Sequence, residues 1–207
     1  MALDFENQFY SDSISYIVGT DEAGRGCLLG PVFAAAVILP PNFTCPLIND
    51  SKKLSEKKRE EAYKIIIDNA LDFSIVSIDP IEIDKINILE ASRKAMTLAI
   101  NNLKHPYDLI ISDYMKLPSF KCQVIDLAHG DAKAQCVAAA SILAKVSRDT
   151  WCYENADKYP EFNIKKNKGY GTKDHLESLK KYGPIKGLHR FSYGPIKDCL
   201  IEKISLF

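Results

Sequence analysis

Two adjacent acidic residues followed by a glycine-flanked arginine are the part of the chain best suited to chemistry. Asp21 and Glu22 end a short strand-like stretch, and Gly24, Arg25 and Gly26 follow. Neighbouring carboxylates repel each other and are costly to bury unless a cation shares them, usually a metal ion or a basic side chain. The glycines leave the backbone bare, so a ligand can approach it closely. This pattern predicts a metal site beside a substrate surface.

Two further acidic residues lie at the ends of predicted elements, where the fold would bring them close to Asp21 and Glu22. Asp113 follows the apolar stretch 109–112, and Asp131 begins an alanine-rich segment. Strand ends and helix starts meet at one edge of an α/β sheet, so we expect the four acids to lie together. Carboxylates without histidine or cysteine favour Mg²⁺ or Mn²⁺. Two such ions about 3.5–4 Å apart can activate water and stabilise the leaving oxygen of a phosphodiester.

Several of these residues have an ordinary structural interpretation as well. Asp131 is a plausible helix N-cap, and Asp113 is typical of the turn after a strand. We interpret Asp126 and Asp149 as structural. His129 lies near Asp131 in sequence and either assists a metal site or has a surface or core role.

Two loops have the composition of nucleic-acid contacts. Residues 50–55 include Ser51, Lys52 and Lys53, whose hydroxyl and ammonium groups suit phosphate oxygens. Residues 168–172 place Tyr170 between two glycines beside a lysine, where its ring can stack on a sugar or base. The alternative for Tyr170 is a loop tyrosine packed on the body.

Charge and composition narrow the class of protein. The 207 residues carry no net charge, but from residue 161 onward there are ten basic and five acidic residues. An acidic half beside a basic half suits a metal site next to a phosphate-bearing ligand, although solvated surface lysines explain the same asymmetry. No apolar run approaches the ~20 residues of a membrane span, and the first residues do not resemble a signal peptide, so we expect a cytoplasmic protein.

Other mechanisms fit the sequence less well. The four histidines form no recognisable nucleophile–base constellation. The glycines at 24 and 26 lack the spacing and the lysine of a nucleotide-binding phosphate loop. The six cysteines show neither pairing nor metal-finger spacing, which indicates reduced and mostly packed thiols.

The chain alternates strand-like and helix-like segments, which predicts an α/β fold with a mixed sheet. The expected strands are 15–20, 32–39, 73–78, 108–113 and 122–126. The expected helices are 55–70, 87–103, 131–148 and 172–182, the first of them capped by Ser55.

In several blocks the sequence resembles the ribonuclease HII family, the type 2 ribonucleases H, over nearly its whole length. The glycine–arginine–glycine segment favours this family over the related ribonucleases HIII. The matching blocks are 19–26, 49–55, 82–84 with 87–89, 130–131, 138–149 (AAASILAKVSRD), 168–172 with His175, and 189–190 with 193–195.

The resemblance implies a ribonuclease H-like fold in one catalytic domain, 1–207, with a mixed five-stranded sheet flanked by helices and a basic helical C-terminal portion from about 161. It implies two-metal hydrolysis of RNA in RNA/DNA hybrids, including incision 5′ to single ribonucleotides in duplex DNA, leaving 3′-hydroxyl and 5′-phosphate ends.

The resemblance also implies roles for individual residues. Asp21, Glu22, Asp113 and Asp131 would bind two Mg²⁺ or Mn²⁺ ions, and Asp21 would bridge them. Gly24, Arg25 and Gly26 would sense the 2′-hydroxyl, and Tyr170 would stack on the following deoxyribose. Together these contacts would require a 2′-hydroxyl on one sugar and its absence on the next, which distinguishes RNA from DNA at that junction.

Two residues depart from the family pattern. Cys27 stands where proline is common, which leaves the stiffness of that loop open. Tyr114 stands where the family often has glycine, so the turn after Asp113 is expected to differ.

The chain's end resembles the peptides that dock on bacterial sliding clamps, since residues 204–207 run from Ile204 through Leu206 to Phe207. Clamp binding through this tail is one hypothesis, and an apolar tail packed on the body is the alternative. Nothing in the sequence demands more than a monomer. The competing functions are a non-catalytic hybrid-binding module, which has no need of four acids, and a generic metal phosphatase, which has no need of Tyr170.

Overall fold

The computed structural model describes residues 3–118 and 120–204 and is built around one five-stranded sheet. The strand order is β3-β2-β1-β4-β5, which puts β1 at the centre. The strands are β1 (Ile17–Ala23), β2 (Val32–Ile38), β3 (Asp72–Ile78), β4 (Leu109–Asp113) and β5 (Gln123–Leu127).

The sheet is mixed, as the sequence predicts. A short loop joins β1 to β2, and β1, β2 and β3 pair antiparallel. Strands β1, β4 and β5 pair parallel, so their carboxyl ends share one edge. That edge carries Asp21 on β1 and Asp113 at the end of β4.

Seven α-helices occur in the described residues, together with short 3-10 turns at Phe5–Phe9, Gly130–Ala132 and Pro160–Phe162. The helices are α1 (Glu56–Asn69), α2 (Pro80–Ile86), α3 (Ile88–Asn101), α4 (Gln135–Ala156), α5 (Ile164–Asn167), α6 (Lys173–Tyr182) and α7 (Gly194–Ile204). None of the described helices is long and apolar enough to cross a membrane.

Helix α4 lies directly against the central strand. A Cβ on Gly19 would stand 2.1 Å from the Cys136 carbonyl carbon, so strand and helix backbones touch there. The buried alanines 138–140 continue this close contact. Alternate residues of β2 pack on opposite faces, Ala35 against α4 and Ala34 against α3. Burial on both faces explains why the sequence of β2 is apolar throughout and does not alternate with polar residues.

The structure corrects two predicted boundaries that bear on function. Strand β1 continues through Asp21 and Glu22 to Ala23, because pairing with β2 persists to Phe33. The alanine-rich helix begins at Gln135, not at Asp131, which lies in a separate 3-10 turn. Asp131 therefore does not cap α4.

The helix start is capped from elsewhere in the chain. The N-cap residue Ala134 has no side-chain acceptor, and the buried Glu6 accepts a hydrogen bond from the Cys136 backbone N–H at 2.9 Å. Helix α4 also runs eight residues past the predicted end, to Ala156.

The segments after residue 160 build a second apolar core behind the loop that joins β1 to β2. Leu29 of that loop is buried with Cys152, Phe162, Leu179 and Ile196. The six cysteines are all free. The C-terminal helices thus hold the loop between β1 and β2 from behind.

Candidate active site

Three carboxylates converge at the shared edge of the parallel strands. One oxygen from each of Asp21, Asp113 and Asp131 lies within 4.8 Å of the others. Asp21 and Asp131 are buried, with 5% and 3% of their surface exposed. The structure therefore brings together three of the four acids that were expected to meet.

Local hydrogen bonds fix the positions of these acids. Asp113 Oδ1 accepts a hydrogen bond from the Gly130 backbone N–H at 2.7 Å, which ties the end of β4 to the turn carrying Asp131. Asp21 Oδ1 accepts one from the Glu22 N–H at 2.7 Å. Ser141 of α4 lines the cleft beside Asp21 and lowers its pKa.

Burial and mutual repulsion disfavour ionisation of this set. Burial raises the pKa of Asp21 well above its usual value, and the charges of Glu22 and Asp113 raise it further. The pKa of Asp113 is raised by burial as well, against the Gly130 N–H bond that lowers it. Carboxylates held in this way gain from a cation that lets all of them ionise.

Glu22 lies in the same cleft but outside the three-acid cluster. Successive side chains leave opposite faces of a strand, so Glu22 points away from Asp21 within β1. Its Oε1 lies 3.3 Å from Arg25, while its buried Oε2 has no hydrogen-bond partner among the described residues. Burial raises its pKa, and the Arg25 charge opposes the rise.

Of the loop residues 50–55, Lys52 reaches the acids. Its Nζ lies 2.9 Å from Asp131 Oδ2, although its side chain is 77% exposed. This hydrogen bond raises the pKa of Lys52. Ser51 is buried against Ser141, with the hydroxyl oxygens 3.0 Å apart. Lys53 instead extends to Asp50 at 3.3 Å and does not line the cleft.

The Gly24 position requires glycine for two reasons. Its φ of +96° lies in the region that favours glycine, and a Cβ there would stand 2.1 Å from Arg148 Nε. The next backbone N–H groups, of Arg25 and Gly26, donate to no described residue. Cys27 donates its N–H to Gly24 O at 3.3 Å, a bond that proline cannot make.

Two fully buried arginines hold this loop from behind, and the sequence analysis missed both. Arg190 donates to the carbonyl oxygens of Gly30 and Arg25, each at 2.9 Å. Arg148 donates to the carbonyl oxygens of Lys168 and Leu29. Such residues are hard to find from sequence because arginine is rarely buried without a carboxylate partner.

Tyr170 stands across the cleft from the acids, with 43% of its surface exposed. The Arg148 guanidinium lies 5.9 Å from its ring centroid, and Gly26 leaves room beside the ring. The Tyr170 carbonyl accepts a hydrogen bond from His175 Nδ1 at 2.9 Å. The residue is therefore both accessible and fixed.

The cleft formed by these residues has a volume of about 440 Å³. Its lining includes every predicted site residue except Asp131 and Lys53, together with Arg59, Ser141 and Lys145, which were not predicted. Asp149 pairs with Lys145 at 2.7 Å, and Asp126 and His129 are exposed.

Comparison with known proteins identifies the family. A family model described as Ribonuclease HII matches residues 18–195. The chain belongs to the ribonuclease HII family. It is 48% identical to the ribonuclease HII of Francisella philomiragia over 181 residues, 87% of this chain and 97% of that protein. It is 47% identical to that of Endomicrobium trichonymphae over 199 residues, 96% and 94% of the two chains.

Solved structures agree with this assignment. The ribonuclease H2 of Pyrococcus horikoshii OT3 matches with a TM-score of 0.78 and 26% identity, over 90% of this chain and 98% of that one. Ribonuclease HII in its PCNA complex from Archaeoglobus fulgidus matches with a TM-score of 0.70 and 25% identity, over 84% and 92%. The chain is a metal-dependent endoribonuclease of the ribonuclease H type, and the predicted fold and family are confirmed.

The residues present fit divalent cations. The cluster offers only carboxylate oxygens, the ligands that hard cations prefer. The unpartnered Oε2 of Glu22 supplies a further oxygen in the same cleft. Nothing in the donor set favours a soft metal such as copper.

Proposed function

We propose that this ribonuclease HII cuts the RNA strand of RNA/DNA hybrids and incises duplex DNA 5′ to single ribonucleotides, leaving 3′-hydroxyl and 5′-phosphate ends. The observation that carries the proposal is the cluster of Asp21, Asp113 and Asp131, since Asp21 and Asp113 line the same cleft as Gly24 and Tyr170. The carboxylates proposed for catalysis and the residues proposed to recognise the sugar would therefore contact the same substrate.

We propose that Asp21, Asp113 and Asp131, with Glu22 as the fourth acid, would hold two divalent cations, Mg²⁺ or Mn²⁺. Bound there, the ions would activate the attacking water and neutralise charge on the leaving oxygen. Lys52, with its exposed ammonium beside Asp131, is placed to bind a phosphate oxygen of the substrate. We propose the same phosphate-binding role for Ser51, which lines the cleft, and for Lys53, whose exposed ammonium lies next to it in the chain.

Recognition of the ribonucleotide is assigned to the loop and the tyrosine. The free N–H groups of Arg25 and Gly26 can donate to a 2′-hydroxyl oxygen. Tyr170 can pack on the next sugar, where an extra hydroxyl would meet its ring. A 2′-hydroxyl is thus required at one position and excluded at the next.

The test uses a DNA duplex that contains one ribonucleotide, labelled at the 5′ end of that strand, with Mg²⁺ or Mn²⁺ added. We expect one product, ending in a 3′-hydroxyl immediately 5′ to the ribonucleotide. Asp113→Asn and Asp131→Asn are expected to lose about 10³-fold or more in kcat/KM, a loss of several kcal/mol of transition-state stabilisation.

The matched control is Asp68→Asn, which removes an exposed carboxylate from α1. It should cut like the wild type. Absence of incision by the wild type, or undiminished incision by the Asn variants, would overturn the proposal. Binding of the duplex without any cutting would instead favour the non-catalytic hybrid-binding module.

A sliding clamp is the proposed protein partner. The Archaeoglobus fulgidus relative was solved as a PCNA:RNase HII complex, and this chain ends in Leu206 and Phe207. Residues 205–207 lie outside the described part of the chain. A pull-down in which removal of residues 204–207 leaves clamp binding unchanged would rule out this mode. A monomeric, single-domain, cytoplasmic enzyme remains our prediction.

A further inference from the structure

Tyr114, the residue after Asp113, combines exposure with an unfavourable backbone. Its φ is +50°, in the left-handed region that aromatic residues rarely adopt, and 76% of its surface is exposed. The turn therefore has a geometry that glycine would adopt more easily. A large ring kept exposed in such a position needs an explanation other than packing, because unfavourable backbone geometry concentrates at functional sites.

The backbone on both sides of Tyr114 is fixed, while its side chain is free. Its own N–H donates to the Leu127 carbonyl of β5 at 3.1 Å. The next residue, Met115, is buried, and its carbonyl accepts a hydrogen bond from the Ser112 hydroxyl at 2.7 Å. Among the described residues, none hydrogen-bonds the Tyr114 hydroxyl, and neither an aromatic ring nor a cation stacks on its ring. A free ring on a fixed backbone is a ready contact surface.

Strand order places Tyr114 and Tyr170 on opposite sides of β1, the strand that carries Asp21. Tyr170 touches the loop that leads from β1 to β2, whereas Tyr114 follows β4, on the β5 side of β1. Its Cα lies ~3.8 Å from that of Asp113, as in any trans peptide. A duplex laid across the acids would extend towards both tyrosines.

The surroundings of Tyr114 suit a polyanion better than a protein partner. Lys116 and His129 are exposed nearby, and Met115 between the two exposed residues is buried, so the ring is not part of a larger apolar patch. Isolated aromatic rings beside basic residues are typical of nucleic-acid contacts. Bases inside a duplex are already stacked, so the sugar is the accessible partner.

We propose that Tyr114 forms a second sugar-binding subsite, which packs its ring against a nucleotide of the substrate beside Asp113, on the side of β1 away from Tyr170. This inference rests on the proposed function. The subsite would add affinity and register along the duplex without contacting the reacting atoms.

The test compares Tyr114→Gly with Tyr114→Phe. Removing the ring is expected to raise KM for an RNA/DNA hybrid about three- to tenfold with a much smaller change in kcat, as loss of one stacked sugar implies. The melting temperature should stay equal or rise, because glycine relieves the backbone. Tyr114→Phe keeps the ring and should recover the wild-type KM.

The matched control for backbone relief is Asn42→Gly. Asn42 is exposed with a φ of +62° in a loop lined by the N-terminal segment, away from the cleft. It should keep the wild-type KM. An unchanged KM in Tyr114→Gly, or an equal rise in Tyr114→Phe, would overturn the subsite.

Duplex affinity measured by fluorescence anisotropy in EDTA separates this inference from the function on which it rests. Weaker binding by Tyr114→Gly is expected even where no strand is cut. A wild type that binds but never cuts would contradict the proposed function while leaving the subsite supported.

Discussion

At the scale of single residues, the site is held by groups that would be costly elsewhere in the molecule. Asp21 is buried beside other carboxylates, and Gly24 takes a conformation that closes the loop onto Arg148. Burying Asp21 beside other carboxylates does not favour folding, since buried like charges destabilise the folded state. Both features are consistent with a site shaped for a cation and a sugar.

The Gly24 contact gives a direct residue-scale prediction. In Gly24→Ala the new Cβ would overlap Arg148, and the φ of +96° would be strained, so the loop must move. We expect unfolding to become easier by ~1–3 kcal/mol and kcat/KM to fall at least about tenfold, measured by chemical denaturation and by hybrid cleavage.

Gly194→Ala is the control for that substitution. Nothing lies within 4 Å of a Cβ at Gly194, so stability and cleavage should stay near wild type. A Gly24→Ala enzyme as active as the wild type would show that the loop has no role in placing substrate.

At the scale of elements, the parallel strands position the acids, and a separate set of hydrogen bonds positions the loop that carries Tyr170. The ends of β1 and β4 and the turn after β5 bring the acids together. A buried hydrogen-bonded chain fixes the loop of Tyr170: Ile185 N–H donates to His189 Nδ1, and the Nε2 atoms of His189 and His175 lie 3.3 Å apart. His175 Nδ1 then donates to Tyr170 O. This chain requires both imidazoles to be neutral.

The histidine pair predicts a pH dependence of stability. Burial lowers the pKa of His189 from 6.5 to about 4. Below about pH 6.5 the unfolded chain takes up a proton that the folded chain refuses, so this residue lowers stability progressively down to about pH 4, by up to ~3 kcal/mol. Above about pH 6.5 it has no effect.

Unfolding of the wild type and His189→Gln across that range measures the effect. The wild type should lose more stability on acidification than the variant, because only the wild type has His189. The raised pKa values of Glu6 and Asp21 act in the opposite direction, but they do so equally in both proteins and cancel in the comparison. An NMR titration that found the His189 ring protonated near pH 6.5 in the folded protein would contradict this account.

The limits of sequence reasoning are clearest at the element scale. The five strands and the mixed pairing follow from apolar patterning, and three of the four acids that were expected to meet do so. The end of β1 was placed too early because the acids themselves look like loop residues, although pairing with β2 carries them. Asp131 was assigned to the start of α4, since nothing local shows that Glu6, far away in sequence, caps that helix.

At the scale of the whole molecule, the two parts of the chain contribute differently to the cleft. Asp21, Glu22 and Asp113 of the first 160 residues line it, while the C-terminal portion contributes Tyr170 and packs an apolar core behind the loop between β1 and β2. Arg148 and Arg190 could not be predicted, because their carbonyl partners come from residues more than a hundred positions away, such as Leu29 and Arg25.

The most direct test of the whole account is calorimetric titration of Mn²⁺ into the wild type, Asp21→Asn and Asp68→Asn, each in two buffers of different ionisation enthalpy. Since burial raises the pKa values of Asp21, Glu22 and Asp113, ion binding to the wild type should release protons. Asp21→Asn should bind at least about tenfold more weakly, and Asp68→Asn should match the wild type. Equal affinity of Asp21→Asn and wild type would show that the carboxylate cluster is not the cation site.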